Sequence, residues 1–302
     1  MRGVAVLNRD SGGLRSVDPE AYGAYLRDRF EARGHALDVV CVAGGAVDEA
    51  LRGAVRRKDT EFLVAAGGDG TISGAARLLA ESGQALGVVP AGTMNLFART
   101  LGVPLDIYAA ADALAAGSPG KCDIGSANGV HFVHQFSVGL QARMIRERAA
   151  LDYSSRLGKM LASARATLAA VRRPPHFPVT MRVDGNLAAE SEMTLVTVSN
   201  NPYGQGHMPY ADAAAAGVLG VYWAGKLDAA AAIALTSDLL VGTWDANDDF
   251  IAATARTVEL EFPRLNRRSR AVIDGELVPL ERRVELRIHP GGLNVLLPAE
   301  SD

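Results

Sequence analysis

A glycine-rich run between a strand pattern and a helix pattern constrains this chain more than any other feature. The run Gly67-Gly68-Asp69-Gly70-Thr71 follows the apolar segment Phe62 to Ala66 and leads into an amphipathic segment. Glycines let the backbone approach phosphate oxygens closely, and amides at a helix start point toward negative charge. The run therefore predicts a nucleotide phosphate site in which Asp69 suits Mg²⁺. A plain strand-to-helix turn capped by Thr71 is the alternative for such a loop alone.

The first part of the chain alternates strand and helix patterns. The predicted strands are Val4 to Leu7, Leu37 to Val42, Phe62 to Ala66 and Leu86 to Val89. The predicted helices are Pro19 to Arg33, Val47 to Arg57, Thr71 to Glu81, Asn95 to Thr100 and Asp106 to Ala115. This alternation predicts a doubly wound parallel sheet, which binds ligands at the carboxyl ends of its strands. The polar turn Asn8 to Gly13 and the glycine run are therefore expected to face one crevice.

The pattern changes at the turn residues Gly117-Ser118-Pro119-Gly120, where we expect a domain boundary between residues 1–120 and 121–302. Beyond it, polarity alternates and connections are short, which predicts an antiparallel β-sandwich or open barrel. The predicted strands are Val179 to Val183, Met193 to Val198, Leu219 to Trp223, Thr257 to Phe262, Ala271 to Ile273, Val284 to Ile288 and Leu293 to Leu297. Two helical stretches, around Tyr153 to Val171 and Leu227 to Val241, interrupt them.

Composition narrows the class of protein. The 302 residues are 48% hydrophobic, enough for two domains, and the net charge of -3 argues against a nucleic-acid partner held by bulk positive charge. Cys41 and Cys122 have no paired spacing, so buried thiols in a reducing cytoplasm are expected. There is no signal-peptide pattern and no apolar run near the about 20 residues that span a bilayer. A cytoplasmic protein is expected, with peripheral contact at the inner membrane face left open.

Three further segments offer chemistry. Gly92 and Thr93 present backbone amides and a hydroxyl just before a predicted helix. Asp274 and Glu276 flank Gly275 late in the chain, where Asp-Gly between apolar runs is also a strong hairpin signal. A hairpin tip can project a base into a cleft, so Asp274 can be both a turn residue and a catalytic base. His131 and His134 are offset by three residues in a predicted strand, which favours packing or surface roles over a shared metal.

These motifs together resemble the lipid kinase family with the diacylglycerol kinase catalytic domain, which includes sphingosine and ceramide kinases and soluble bacterial lipid kinases. Gly-Gly-Asp-Gly-Thr also occurs in NAD kinases and phosphofructokinases, but the segment Pro90 to Arg99 at this distance is a lipid kinase trait. Asp123 in Cys-Asp-Ile-Gly, then Phe132 and Ser137-Val138-Gly139, continue the likeness. Asp274-Gly275-Glu276 completes it, so the resemblance spans nearly the whole chain.

The resemblance implies an ATP-dependent lipid kinase whose active site lies in the cleft between an ATP-binding α/β domain and a β-rich lipid domain. It implies Asp274 as the general base and Glu276 as its support, with Asp69 organising Mg²⁺ and Asp123 joining the ion through water. The residues that it implies for ATP binding are Asn8, Ser11, Gly12, Gly67, Gly68, Asp69, Gly70, Thr71, Gly92, Thr93 and Asn95. The acceptor would be the hydroxyl of diacylglycerol, ceramide or a sphingoid base. The sequence specifies neither the lipid nor the oligomeric state.

The chain departs from the family at three positions. Leu96 stands where many bacterial members have Asp, which thins the acidic network around Mg²⁺. Ala216 replaces the Asp of the Asp-Gly-x-Leu motif, so we expect no structural metal near residues 213–219, and Arg9 replaces a common Pro. Two other functions stay open: a soluble-metabolite kinase of the NAD kinase type, and a catalytically silent nucleotide- or lipid-binding protein.

A stretch rich in arginine, Arg143 to Arg173, bears on membrane contact. Apolar residues recur at helical spacing within it, which favours a helix packed on the core with a solvated basic face. Docking of that basic face on anionic lipid is the alternative.

Overall fold

The computed structural model describes residues 1–80, 82–149, 165 and 167–299. Its strands are β1 (Arg2–Asn8), β2 (Ala36–Val42), β3 (Phe62–Gly67), β4 (Ala85–Pro90), β5 (Ser118–Ala127), β6 (Val130–Phe132), β7 (Gln135–Gly139), β8 (Phe177–Val183), β9 (Asn186–Ser199), β10 (Leu219–Gly225), β11 (Ile251–Ala255), β12 (Thr257–Glu261), β13 (Arg270–Ile273), β14 (Glu276–Pro279) and β15 (Arg283–Leu297). Its α-helices are α1 (Pro19–Glu31), α2 (Val47–Val55), α3 (Asp69–Leu79), α4 (Leu96–Thr100), α5 (Ile107–Ala115), α6 (Leu140–Ala149) and α7 (Ala229–Val241). Short 3-10 helices are Leu14–Ser16, Gly44–Ala46 and Trp244–Ala246.

The first part of the chain folds around a parallel sheet in the order β4-β3-β1-β2. Every residue of β3 and β4 is buried, as expected for strands covered by helices on both faces. Helices α1 and α5 pack together, where the hydroxyl of Tyr22 donates to the carbonyl of Ile107 at 2.8 Å, and α2 packs on α3. The predicted doubly wound α/β arrangement is confirmed.

The second part is rich in antiparallel strands, as predicted. Strands β13, β7, β9, β8, β12 and β15 follow one another across the sheet, and β10 joins β9 to β11. The two segments predicted from residue 284 to 288 and 293 to 297 are one long strand, β15, with a register shift between His289 and Leu293. Strands β5, β7, β11 and β14 were not predicted, whereas β6 overlaps the strand predicted around residues 131–134.

The turn expected at residues 117–120 is wrong for Ser118, Pro119 and Gly120, which begin β5. These residues pair with the end of β15, where Gly120 lies opposite Val295. A Cβ on Gly120 would lie 2.4 Å from a Cδ atom of Leu297, so the glycine serves a close approach between strands. Leu293, Val295 and Leu296 of β15 are buried in the core of the α/β part, so the last strand ties the two parts together.

The predicted helix around residues 153–171 falls largely outside the described residues. Residues 167–172 are helical, and Ala170 and Val171 are buried in one cluster with Leu235 of α7. Arg172 and Arg173 are exposed. Among the described residues, no helix combines the length and the apolar character needed to cross a bilayer.

Candidate active site

The glycine run lies where β3 ends and α3 begins. Gly68 precedes the first helical turn in an extended conformation, and no side chain caps this end of α3. Gly68, Asp69, Gly70 and Thr71 line a deep cleft with a volume of about 1530 Å³. Uncapped first-turn amides and the positive end of the helix dipole together favour an anionic ligand. The run thus has the geometry of a phosphate-binding loop.

Asp69 joins this loop to the loop before α4. Its Oδ1 accepts the backbone N–H of Leu96 at 2.7 Å, and its Oδ2 accepts that of Asn95 at 3.0 Å. Asn95 has a left-handed backbone with φ of 51°, and its side-chain oxygen accepts the N–H of Gly92 at 2.9 Å. Asp69 therefore stabilises the start of α4 while it also lines the cleft.

Backbone contact between these two loops depends on glycine. A Cβ on Gly92 would lie 2.7 Å from the Cα of Gly68, and one on Gly67 would lie 2.5 Å from the Cβ of Thr71. Both approaches are too close for any side chain. The loops at the ends of β3 and β4 therefore meet only because Gly92 lacks a Cβ, and Gly67 leaves room for the side chain of Thr71 within its own loop.

The first polar turn completes the crevice. The side-chain amide of Asn8 donates to the hydroxyl of Thr71 at 3.2 Å, and the N–H of Gly13 donates to the carbonyl of Ala91 at 2.8 Å. Three loops at the carboxyl ends of β1, β3 and β4 thus share one hydrogen-bonded edge. Asn8, Ser11, Gly12 and Thr93 line the cleft at this edge.

Asp274 lies across the cleft at the tip of the hairpin between β13 and β14. It adopts a left-handed backbone with φ of 48°, and Gly275 follows with φ of 86°, as an Asp-Gly hairpin turn requires. The residue is only 8% exposed. It accepts hydrogen bonds from the backbone N–H groups of Val133 (3.0 Å), His134 (2.9 Å) and Gln135 (3.0 Å).

The fourth partner of this carboxylate comes from the other domain. The hydroxyl of Ser73, on α3, donates to Oδ2 of Asp274. One turn further along α3, Arg77 pairs with Glu276 at 3.1 Å and donates to the carbonyl of His131 at 3.1 Å. The helix that begins at the phosphate loop thus contacts both acids of the late hairpin. Ser73 and Arg77 were not predicted as site residues, because the sequence signal of α3 lies in its glycine-rich start.

His134, for which a packing or surface role was expected, also lines the cleft. Burial lowers the pKa of its imidazole, and the negative charges of Asp274 and then Asp69 oppose that shift without overcoming it. The ring therefore interacts with carboxylates from both sides of the cleft. The histidine lies in the segment between Phe132 and Ser137 that carried the family resemblance, which is the one sequence signal that could have marked it.

Beyond Asp274 the cleft has a polar floor and apolar walls. The hydroxyl of Tyr203 donates to the side-chain oxygen of Gln135, whose amide donates to Gln141 at 2.8 Å. Burial raises the pKa of the Tyr203 phenol well above its ordinary value, so this hydroxyl stays protonated as a donor. The apolar walls are formed by Leu140, Met144, Ile145, Leu195, Leu239, Leu240 and Phe250.

Three predicted site residues do not line the cleft. Gly67 lies close to the side chain of Thr71, and the side chain of Asn95 turns back onto Gly92. Asp123 is 2% exposed, and its two oxygens accept the N–H groups of Gly217 (2.6 Å) and Gly291 (2.9 Å). The other predicted site residues line one cavity: Asn8, Ser11, Gly12, Gly68, Asp69, Gly70, Thr71, Gly92, Thr93, Asp274 and Glu276.

The cleft offers few side chains that could coordinate a metal ion. Within residues 1–80, 82–149, 165 and 167–299, no group of three or more His, Cys, Asp or Glu side chains is arranged to hold one. Mg²⁺ in phosphoryl-transfer sites is usually held by one or two carboxylates, substrate phosphates and water. Each oxygen of Asp69 accepts one amide and keeps a lone pair. The chemistry of Asp69 therefore fits Mg²⁺ that is delivered with a nucleotide, and its role as a metal ligand stays a prediction.

Two family profiles match this chain. The profile of the diacylglycerol kinase catalytic domain matches residues 2–127, and that of the YegS C-terminal NAD kinase beta sandwich-like domain matches residues 135–297. The chain belongs to the lipid kinase family that carries the diacylglycerol kinase catalytic domain, as the motifs indicated.

Curated relatives agree with this assignment. A diacylglycerol kinase of Mycobacterium tuberculosis is 29% identical over 306 residues, which cover 98% of this chain and 95% of the relative. A diacylglycerol kinase of Bacillus subtilis is 34% identical over 187 residues, 59% of each chain. The uncharacterized protein sll0036 of Synechocystis is 26% identical over 251 residues, 80% of this chain but 55% of that protein. Family membership supports a kinase that carries out a lipid-kinase type of reaction with ATP.

Solved structures share the fold. A diacylglycerol kinase from Bacillus anthracis superposes with a TM-score of 0.71 at 19% identity, over 98% of this chain and 96% of that chain. An NAD kinase from Archaeoglobus fulgidus in complex with ATP is more distant, with a TM-score of 0.51 at 12% identity over 98% and 93% of the two chains. The two-domain α/β and β-rich architecture is therefore common to these proteins.

Proposed function

We propose that this protein transfers the γ-phosphate of ATP to the hydroxyl of a lipid, with diacylglycerol as the first candidate acceptor. One observation carries the proposal: the buried carboxylate of Asp274 and the phosphate-type loop of Gly68 to Thr71 face one cavity from opposite domains. Phosphoryl transfer needs alignment of the nucleophile and neutralisation of phosphoryl charge more than covalent help from the protein. The two sides of this cleft supply those two needs.

The α/β side would hold the nucleotide. First-turn amides of α3, the hydroxyls of Thr71 and Thr93 and the side chain of Asn8 are all available to phosphate oxygens. Asp69 would carry Mg²⁺, which offsets charge on the β- and γ-phosphates when it is bound with ATP. The predicted part of Asp123, acting on the ion through water, stays a prediction. No phosphoenzyme is needed, because the acceptor oxygen attacks the γ-phosphorus directly.

The β-rich side would hold the acceptor. Asp274 accepts the proton of the acceptor hydroxyl, and Glu276 keeps the hairpin in place through its ion pair with Arg77. Tyr203, Gln135 and Gln141 line the floor with hydrogen-bonding groups that suit polar atoms next to that hydroxyl. The apolar walls suit a hydrocarbon chain.

The shape and lining of the cleft favour a lipid over a soluble metabolite. Its volume of about 1530 Å³ exceeds the roughly 1,000 Å³ at the upper end of common ligand pockets, so nucleotide and acceptor fit side by side. An acceptor of the NAD kinase type would need polar walls where Met144, Leu195 and Phe250 lie. A catalytically silent protein would have no need of a buried, fully hydrogen-bonded carboxylate opposite the phosphate loop.

A radiolabelled ATP assay over a panel of acceptors tests the proposal. Diacylglycerol, ceramide and sphingosine in mixed micelles are compared with NAD as the soluble acceptor. We expect label in at least one lipid and none in NAD. Label in NAD alone would establish the metabolite kinase, and label in no acceptor despite measurable ATP binding would establish the silent protein.

We also propose that the protein meets its substrate at a membrane surface through α7. Ile233, Leu240 and Val241 lie on one face of this helix and are 44%, 72% and 65% exposed. Leu240 also lines the cavity, so the exposed stripe is continuous with the apolar walls. The exposed Arg172 belongs to the helical segment that packs on α7, and its charge suits anionic headgroups.

Vesicle co-sedimentation with and without anionic lipid tests this docking surface. Val241→Glu and Arg172→Glu should each lower binding to anionic vesicles, while activity toward a short-chain acceptor in detergent is kept, because Val241 is exposed and does not line the cleft. Leu187→Glu is the matched control, because Leu187 is 54% exposed at the tip of the β8–β9 hairpin, away from the cleft lining. Equal loss in the control, or no loss in either test variant, would refute docking through α7.

A further inference from the structure

Helix α3 links the phosphate loop to the β13–β14 hairpin that carries Asp274. Its first turn carries Asp69 and Gly70 at the cleft, and Ser73 follows one turn later with its hydrogen bond to Asp274. Four residues of α-helix rise about 6 Å. Arg77, a further turn along, fixes the same hairpin through Glu276. One rigid element therefore sets the separation between the amides that face phosphate and the carboxylate that faces the acceptor.

The carboxylate of Asp274 is saturated by its described neighbours. A carboxylate offers about four lone-pair positions. Oδ1 accepts the N–H groups of His134 (2.9 Å) and Gln135 (3.0 Å), and Oδ2 accepts the N–H of Val133 (3.0 Å) and the hydroxyl of Ser73. The three backbone donors are fixed by the fold, whereas a hydroxyl rotates about its C–O bond. A proton can therefore reach Asp274 only at the position that Ser73 occupies.

Ser73 is suited to pass that proton on. It lines the cleft although it is only 3% exposed, and its hydrogen bond to Asp274 holds its hydroxyl in a fixed position. A serine within a helix commonly bonds to the carbonyl four residues earlier. Here its proton is donated across the domain boundary instead, which leaves its lone pairs available to a hydroxyl in the cleft.

We propose that Ser73 relays the proton from the acceptor hydroxyl to Asp274, an inference that rests on the proposed kinase function. As the acceptor oxygen bonds to the γ-phosphorus, the bond to the leaving oxygen breaks and ADP departs with that electron pair. The acceptor proton passes to Oγ of Ser73, and the original Ser73 proton passes to Oδ2 of Asp274. Ser73 ends as a neutral hydroxyl, and Asp274 later returns its proton to water. In this arrangement Ser73 is a catalytic residue.

Single-turnover phosphoryl transfer in Ser73→Ala and Ser73→Thr tests the relay. We expect Ser73→Ala to lower the transfer rate at least about tenfold, because general acid–base steps commonly contribute 10²-fold or more. The dissociation constant for ATP should stay within about twofold, and Ser73→Thr should recover much of the rate. Ser191→Ala, an exposed serine of β9, is the matched control and should match the wild type.

Transfer rates in mixtures of H₂O and D₂O separate a relay from a structural role. If two protons move together, the transfer rate of the wild type depends on the deuterium fraction along a curve. In Ser73→Ala, which lacks the relay, the transfer rate should depend on the deuterium fraction linearly. A straight dependence in the wild type would overturn the relay, as would an unchanged or faster rate in Ser73→Ala. Loss of rate and of ATP affinity together in Ser73→Ala would also overturn it. A wild type that labels no lipid at all would instead refute the proposed function.

Discussion

Replacing Asp274 by Asn tests the central role assignment with the smallest change of shape. Asn removes the negative charge and the proton acceptor, and it tolerates the left-handed backbone, with φ of 48°, that this position requires. General base catalysis is worth typically 10²–10⁴-fold. We therefore expect kcat to fall by about 10²–10⁴-fold, which corresponds to about 3–5 kcal/mol of activation free energy.

The cost in stability follows from the four hydrogen bonds. The Asn oxygen can replace Oδ1 and accept from His134 and Gln135, which places the amide NH₂ opposite Val133 and Ser73. The Ser73 hydroxyl can rotate to accept from that NH₂, whereas the N–H of Val133 cannot. One buried N–H left without a partner costs about 1–3 kcal/mol of unfolding free energy.

Activity, ATP affinity and urea unfolding are measured together on Asp274→Asn. ATP affinity should be kept, because the hairpin does not belong to the phosphate loops. Asp184→Asn is the control: Asp184 also begins an Asp-Gly hairpin with φ of 47° and accepts two backbone amides, those of Arg256 and Thr257, but it lies away from the cleft lining. Full activity in Asp274→Asn, or an equal loss in the control, would refute the assignment of Asp274 as the base.

Two other perturbations follow from the geometry. Gly92→Ala would place a Cβ 2.7 Å from the Cα of Gly68, so the phosphate loops must separate. We expect the KM for ATP to rise at least about tenfold in this variant, while the control Gly53→Ala on α2 leaves the KM unchanged. Equal KM values for the two variants in steady-state assays would contradict this expectation. Because burial holds the pKa of His134 below its ordinary 6.5, the unfolded chain takes up a proton that the folded chain refuses, and stability is lost as the pH falls below that value. The urea midpoint should therefore drop less between about pH 7.5 and about pH 5.5 in His134→Gln than in the wild type, and identical drops would show that His134 does not contribute.

Much of the fold was predictable because its signals are local. Buried parallel strands such as β3 are continuous apolar runs, and the helices between them carry periodic apolar faces. The strands that were not predicted have weaker signals: β5, for example, starts with turn residues. Their conformation comes from pairing with distant partners, as Gly120 does with Val295 of β15.

Some residues of the candidate site were predicted at positions that line the cleft, and others were not. The loop residues Gly68 to Thr71 and the hairpin residue Asp274 were predicted, and they line one cavity. Asp123 was predicted beside them, yet the N–H groups of Gly217 and Gly291 hold its carboxylate, and it does not line that cavity. Its assignment to the metal site stays a prediction.

The amino-acid sequence alone determined the phosphate loop, the Asp-Gly hairpin and the order of elements, because backbone conformation and periodicity are encoded by neighbouring residues. Only the tertiary structure decided that Ser73 contacts Asp274, 201 residues away, and that His134 faces carboxylates from both domains. Such contacts depend on how two separate cores pack, and a serine or histidine in isolation carries no local sign of the partner that packing will provide.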